Sequence, residues 1–287
     1  MVKFFLSLLL FCNLVVAEDI KSISSSDVQT QENPLEAKIE SFLSEKSYQE
    51  NKGFINAIFD PESAFYRNDR VDAVKVVKTL KDNGLLKLYF EKPEEFRLNF
   101  KTSGSPLFFV KIMSDTLRSI GYYRYVTTAS NLDASEFSWS INLTSEYITD
   151  PLALEAQLAK SSCEIIDIER NSQKEWTYII DMTNAKLHLE TLEPGKEIKL
   201  KRSLYAHWLN ISQVRTLKIK SSRRNSWYPY IAYYDSSLHL IKIMKRDKIY
   251  REILLNIPKN ATYIKISDLY TLKNVRDELT LTPKGTR

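Results

Sequence analysis

Glycine, histidine and cysteine are scarce in this chain of 287 residues. Six glycines are too few for a glycine-rich phosphate loop, which needs several of them close together. The three histidines stand apart, at His188, His207 and His239, and the two cysteines do not have the spacing of a zinc site. We therefore expect neither a metal site nor a bound cofactor.

Common catalytic motifs are absent too. Neither Gly-x-Ser-x-Gly nor Ser-x-x-Lys occurs, so no motif indicates acyl transfer. Two carboxylate pairs could serve as the acid and base of a glycosidase: Glu94 with Glu95, and Asp133 with Glu136. Acidic residues in turns more commonly keep a surface hydrated. The sequence therefore predicts no catalytic residues and a protein that is not an enzyme, with a hydrolase as the least favoured alternative.

The N-terminus has the pattern of a secretory leader, MVKFFLSLLLFCNLVVA, over residues 1–17. A lysine precedes an apolar run, and Ala17 is a small residue suited to signal peptidase, so we expect the mature chain to begin at Glu18. The run is short for a membrane span, and no other run approaches about 18 apolar residues. The mature protein is expected to be periplasmic or secreted and to contain no transmembrane segment.

Removal of the leader would take Cys12 away and leave Cys163 as the single cysteine. One cysteine cannot form an internal disulfide, so packing of the core has to stabilise the fold. We expect Cys163 to be a small buried residue at the start of a strand rather than a reactive thiol.

Residues 18–33 are polar and rich in serine and glutamine, and we expect a flexible tether there. From Pro34 onwards, apolar residues recur at helical spacing in three successive segments. In the third segment, Asn68 or Asp69 is expected to cap the helix at its start, and Gly84 is expected to end it in a left-handed conformation.

Beyond Gly84, strand patterns alternate with two further helices. Each helix is predicted to begin at a capping residue followed by proline, at Ser105-Pro106 and at Asp150-Pro151. The expected strands cover residues 86–90, 96–100, 122–128, 137–143, 164–168 and 176–180. The order from residue 95 to residue 181 is β-α-β-β-α-β with a further strand, which resembles a ferredoxin-like split βαβ lobe.

The second half of the chain shows no helical pattern and consists of short apolar runs separated by turns. Eight runs are predicted to be strands: residues 187–189, 197–200, 214–219, 230–234, 238–243, 250–257, 263–266 and 279–281. Such spacing is typical of a β-sandwich of jelly-roll type. The predicted fold class is α+β, with an N-terminal helical segment and a ferredoxin-like lobe followed by this sandwich. The predicted divisions are a signal peptide (1–17), a tether (18–33), a helical and α+β domain (34–183) and a β-sandwich domain (184–287).

Charge is divided unevenly along the chain. Residues 18–180 contain 19 basic and 26 acidic side chains, whereas residues 181–287 contain 21 basic and 10 acidic ones. The net charges of these two segments are therefore −7 and +11. Opposite charges of this size can hold two lobes together, favour head-to-tail contacts between molecules, or steer different partners to the two lobes. The sequence leaves all three explanations open.

The most distinctive segment is basic and aromatic and covers residues 215–234, RTLKIKSSRRNSWYPYIAYY. Planar guanidinium groups beside flat rings suit sugars, polyanions or a protein surface. The residues expected to bind are Arg223, Arg224, Lys245 and Arg246 through charge, and Trp227 and Tyr228 through stacking or anchoring. The alternative is that Trp227 and half of the tyrosines belong to the core, while the charged residues form a solvated face. Nucleic acid is not an expected partner, because an exported protein rarely meets it.

The leader MVKFFLSLLLFCNLVVAED, the glycine-poor composition rich in lysine, serine and isoleucine, and the two-lobe layout resemble secreted or periplasmic accessory proteins of flagellar motility in low-GC Gram-negative bacteria. The resemblance includes no motif that assigns a role to a residue. The predicted function is that of an exported, non-catalytic binding protein of the cell envelope that supports motility or envelope assembly. Its expected partner is an envelope protein or an anionic polysaccharide such as peptidoglycan. The alternative is a carbohydrate- or peptidoglycan-binding module that acts without a protein partner.

Overall fold

The α+β fold class is confirmed by the computed structural model, which describes residues 33–286. The predicted signal peptide, and all of the predicted tether except Asn33, lie outside the described residues. Within the described part of the chain, five α-helices, α1 to α5, occupy Pro34–Ser41, Glu45–Ile58, Ala73–Asp82, Pro106–Ser119 and Pro151–Leu158. None of these five is long and apolar enough to cross a membrane.

Local sequence signals explain where several helices begin and end. Gly84 has a φ of +76°, and the amide that follows it donates a hydrogen bond to the Leu80 carbonyl at 2.9 Å. This is the Schellman arrangement that the glycine predicts. Gly121, with a φ of +102°, ends α4 in the same way. Asp150 caps α5 by accepting a hydrogen bond from the Leu152 amide at 3.0 Å.

The expected cap of α3 at Asn68 or Asp69 is wrong. Both residues have positive φ, 51° and 59°, and form the turn between two short strands, β1 (Tyr66–Arg67) and β2 (Arg70–Val71). A two-residue hairpin requires this left-handed conformation, which asparagine and aspartate tolerate. Asp72 occupies the cap position instead and accepts a hydrogen bond from the third amide of the helix at 3.0 Å.

The next five strands form one sheet: β3 (Tyr89–Thr102), β4 (Val126–Leu132), β5 (Phe137–Tyr147), β6 (Glu164–Ser172) and β7 (Glu175–Asp181). Their order in the sheet is β4-β5-β3-β7-β6. Helix α4 joins β3 to β4, and β5 lies between them, so the predicted split βαβ unit is present. The further strand, β7, is inserted between β3 and β6 and runs parallel to β3, an arrangement that the strand pattern alone does not specify.

The strands expected at residues 86–90 and 96–100 belong largely to one long strand, β3. Its pairing with β5 shifts register between Tyr89 and Glu94. Pro93 lies within this irregular stretch and has no N–H to donate to a neighbouring strand. Beyond the shift, alternate residues are buried in the core that also contains the helices: Phe96, Leu98 and Phe100.

The remaining eight strands form the sandwich: β8 (Ile198–Leu200), β9 (His207–Asn210), β10 (Val214–Ser221), β11 (Pro229–Tyr234), β12 (Leu240–Lys245), β13 (Glu252–Asn256), β14 (Tyr263–Asp268) and β15 (Leu279–Thr286). One sheet has the order β13-β10-β15-β8 and the other β12-β11-β14-β9. All neighbouring strands are antiparallel. Successive strands alternate between the sheets except at β11 and β12, which gives the strand order of a jelly roll.

Seven of the eight predicted runs correspond to strands of the sandwich, with shifted ends. The run at residues 187–189 is not a strand, because no segment among the described residues pairs with it; Leu187 and Leu189 pack against the first core instead. Strand β9 was not predicted. It is only four residues long, too short for a clear alternation between buried and exposed positions.

We call residues 34–181 the α+β part and residues 198–286 the sandwich. Each has a hydrophobic core. Four side chains of the sandwich pack into the core of the α+β part: Trp208, Tyr234, Leu238 and Tyr263. The chain from Pro34 onwards forms one compact unit. The division into two domains between residues 183 and 184 stays a prediction.

Candidate functional site

The candidate site lies at one end of the sandwich. Because neighbouring strands are antiparallel, the loops after β8, β10, β12 and β14 all lie at the same end. The strand register agrees with this arrangement. Leu279 pairs with Ser221 on one side and with Leu200 on the other, and each of these residues adjoins one of the loops. We call these four loops, residues 201–206, 222–228, 246–251 and 269–278, the basic loop end.

The basic loop end contains nine basic and three acidic side chains. All nine basic residues are exposed: Lys201, Arg202, Arg223, Arg224, Arg246, Lys248, Arg251, Lys273 and Arg276. Within residues 33–286, none of the nine forms a salt bridge, since the salt bridges of the sandwich involve Lys199, Lys218 and His239. Unneutralised charge of one sign on a single surface attracts a partner of the opposite sign.

A buried carboxylate organises two of the loops. Asp268, at the end of β14, is only 7% exposed. It accepts hydrogen bonds from the backbone amides of Tyr228 at 2.8 Å, Tyr270 at 2.9 Å and Thr271 at 2.9 Å, and from the Asn274 side chain at 3.0 Å. Hydrogen bonds to one carboxylate group therefore connect the loop after β10 with the loop after β14.

A second buried side chain connects the same loops from the other side. Asn225 is 1% exposed, and its amide nitrogen donates to the Glu278 carbonyl at 3.0 Å, while its oxygen accepts from the Asp277 amide at 2.8 Å. The Arg251 guanidinium donates to the carbonyls of Ser222 at 3.1 Å and Asn225 at 2.6 Å. Three of the four loops are thus cross-linked, so the exposed charges stand on a well-anchored backbone.

All six residues predicted to bind lie at this end of the sandwich, and five of them are exposed or half-buried. Arg223 and Arg224 are exposed on the loop after β10, and Tyr228, at the end of that loop, is half-buried. Lys245 is the exposed last residue of β12, with its ammonium 5.6 Å from the Tyr230 ring centroid. The exposed Arg246 follows it, and its side chain donates to the Lys245 carbonyl at 3.2 Å. Their binding roles stay predictions.

Trp227 requires a correction. Its side chain is fully buried in the core of the sandwich, and its indole N–H donates a hydrogen bond to the Ser267 carbonyl at 2.9 Å. A ring in this position cannot stack on a ligand at the surface, so the stacking role expected for Trp227 is wrong. The alternative interpretation, in which Trp227 belongs to the core, describes its position.

The most exposed aromatic residue of the four loops is Tyr270, which sequence reasoning missed. It is 65% exposed, and its ring meets that of Tyr228 edge to face at 5.0 Å between centroids. The available signal was a tyrosine in the segment after β14, which lies outside the predicted strands and contains at least four charged or amide side chains.

Cys163 and the two carboxylate pairs considered for catalysis all lie in the α+β part, away from the basic loop end. Burial raises the pKa of Cys163 to about 11, which disfavours a reactive thiolate. The pKa of Glu94 is lowered by its hydrogen bond with Lys174, and that of Asp133 by the amides of Ser135 and Glu136, whereas a catalytic acid needs a raised pKa. Within residues 33–286, no group of three or more His, Cys, Asp or Glu side chains is placed to hold a metal ion.

Comparison with known proteins finds no matching family model, no matching curated protein and no matching solved structure.

Proposed function

We propose that this chain is an exported, non-catalytic binding protein of the bacterial cell envelope, and that the basic loop end contacts an acidic surface of an envelope protein. The observation that carries the proposal is the group of nine exposed basic side chains on the four loops. The leader pattern of residues 1–17 supports export.

The anchoring of the loops supports binding by a preformed surface. Asp268 and Asn225 hold the loop backbones through buried hydrogen bonds, so little backbone freedom is lost when a partner binds. The charged side chains themselves are exposed to solvent. Charge on such a surface mainly raises the association rate and the discrimination between partners. The affinity falls as the salt concentration rises.

A charge-reversal pair tests the proposal. Arg223→Glu with Arg224→Glu inverts the charge of one loop, and Lys259→Glu with Lys284→Glu makes the same change in net charge at the opposite end of the sandwich. Retention of the mature chain on isolated envelope fractions is measured for both variants at about 0.05 M and about 0.5 M salt. We expect the loop variant to lose at least about tenfold in affinity at low salt and the control variant to bind like the wild type. Equal binding by the two variants would contradict the proposal.

The exposed ring of Tyr270 favours a second candidate, an anionic polysaccharide such as peptidoglycan. A sugar can stack on an aromatic face while the neighbouring cations meet its carboxylates. Retention on purified peptidoglycan sacculi that is lost in Tyr270→Ala would support this candidate. Retention on envelope protein with none on sacculi would leave the first candidate standing.

A further inference from the structure

A concave surface lies between helix α4 and the β12-β11-β14-β9 sheet of the sandwich. A cleft of about 670 Å³ opens there, and the loop 201–206 is the one part of the basic loop end that borders it. Three cationic side chains line the cleft, Lys111 and Arg118 from α4 and Lys265 from β14. Its volume lies in the range of roughly 300–1,000 Å³ that is typical of small-molecule sites.

Aromatic rings hold the three cations at the wall of the cleft. The Lys111 ammonium lies 5.1 Å from the Trp208 ring centroid, and the Lys265 ammonium lies 5.7 Å from the same ring. The Arg118 guanidinium stacks on Tyr205 at 3.9 Å. These are cation–π distances, and each contact restricts where the positive charge can point.

The cleft contains more positive charge than the chain neutralises. Asp115 is the one carboxylate among the described residues that line it, and it pairs with both Lys111 and Arg118. Lys265 forms no salt bridge with any described residue. Burial lowers the pKa of His207, so this lining residue is neutral at pH 7. Two positive charges therefore remain without a counter-charge.

Burial makes this imbalance costly for Lys111. Its side chain is only 13% exposed, and desolvation lowers its pKa, with Asp115 acting in the opposite direction and Arg118 and Lys265 adding to the lowering. A negative group that entered the cleft would favour the charged form of Lys111.

We propose that this cleft binds a small organic anion, in which a carboxylate or sulfonate is attached to an apolar body. The three cations receive the anionic group. The apolar body packs against aliphatic side chains of the lining: Leu107, Val110, Leu189 and Leu238. Leu107 is 56% exposed, so apolar surface is available at the cleft.

Calorimetric titration with naphthoate tests the proposal, with naphthylmethanol as a neutral probe of similar shape. We expect naphthoate to bind the mature chain with a dissociation constant no weaker than about 1 mM and naphthylmethanol to bind at least about tenfold more weakly. Lys265→Met keeps the packing on Trp208 and removes the charge, so it should weaken naphthoate binding at least about tenfold. Lys265→Arg should restore binding.

Matched controls separate this site from other positive surfaces. Lys259→Met makes the same charge change at the far end of the sandwich and should leave naphthoate binding unchanged. Arg223→Glu with Arg224→Glu should also leave it unchanged, because the inference does not rest on the function proposed for the loops. Naphthoate should quench the fluorescence of Trp208, which lines the cleft. The other three tryptophans are at most 3% exposed, so naphthoate cannot contact them directly. Absence of binding to the wild type, or equal binding by Lys265→Met in a folded variant, would overturn the proposal.

Discussion

Replacing Asp268 with asparagine should lower the free energy of unfolding by about 2–3 kcal/mol. One carboxylate oxygen accepts the hydrogen bonds of Tyr270, Thr271 and Asn274, and the other accepts that of the Tyr228 amide. An asparagine oxygen can replace the first, but its NH₂ group would then face the Tyr228 N–H. One buried hydrogen bond is lost and two donors are left opposed at a site that is 7% exposed.

Asp268→Ala removes all four acceptor contacts, and we expect a loss of about 4 kcal/mol, because such contributions are not additive and the loops can admit water. Asp235→Asn is the matched control. That carboxylate accepts two backbone amides in a loop at the opposite end of the sandwich, but its side chain is 32% exposed. Water replaces lost partners there, so the expected cost is below about 1 kcal/mol.

Urea unfolding followed by circular dichroism measures these differences. The affinity for the anionic partner gives a second readout, because the two possible effects of Asp268→Asn change it in opposite directions. Asp268→Asn makes the chain more positive, so charge alone would strengthen binding, whereas loosening of the loops would weaken it. We expect weaker binding. Unfolding of Asp268→Asn within error of the wild type, or stronger binding, would show that this carboxylate does not hold the loops in place.

Two further predictions concern buried side chains. Trp227→Phe should cost at least about 1.5 kcal/mol more than Trp176→Phe in urea unfolding, because Trp227 donates to Ser267, whereas the Trp176 indole N–H has no partner among the described residues; equal costs would refute this. The lowered pKa of His207 favours its neutral form in the folded state, so stability should fall as pH drops below about 6.5, by at most about 1.4 kcal/mol per pH unit. The comparison of His207→Gln with the wild type at pH near 7.5 and 5.5 measures this component, and identical pH dependence would contradict it.

The helix ends could be predicted from sequence because their signals are local. Gly84 and Gly121 both adopt positive φ, a conformation that glycine enters without steric cost, and both end their helices. Asn68 and Asp69 are a counterexample from the same kind of signal. The residues that favour caps also favour tight turns, and only the pairing of β1 with β2 decides between the two uses.

Whether a run of alternating apolar residues forms a strand depends on pairing partners far away in the chain. Leu187 and Leu189 flank a histidine with the alternation of a strand, yet their apolar side chains pack against the first core without a pairing strand. His239 has the same Leu-His-Leu surroundings but lies in a turn, where Leu238 has a φ of +65° and Asp235 accepts the His239 amide. The alternation of apolar and polar residues shows which side chains can be buried, but it does not show whether a neighbouring strand is present.

The candidate site was predictable in its charge and not in its geometry. Arg223 and Arg224 are exposed as expected, but the chain turns inward within three residues, so Trp227 enters the core. Asp268 had a signal, since an aspartate that ends an apolar strand before a polar turn commonly bonds to backbone amides two or three residues ahead. Its burial, and its contact with a loop 40 residues earlier, depend on the packing of two sheets.

The contact between the α+β part and the sandwich bears on one explanation for the uneven charge, the attraction between the two parts. Within residues 33–286, no salt bridge joins the two parts. The charged contacts that cross place Lys111 and Arg118 of the net acidic part on Trp208 and Tyr205 of the net basic part. Cations on aromatic rings do not neutralise the basic excess of the sandwich. That excess stays on the exposed loops, which is the condition under which it can act on a separate partner.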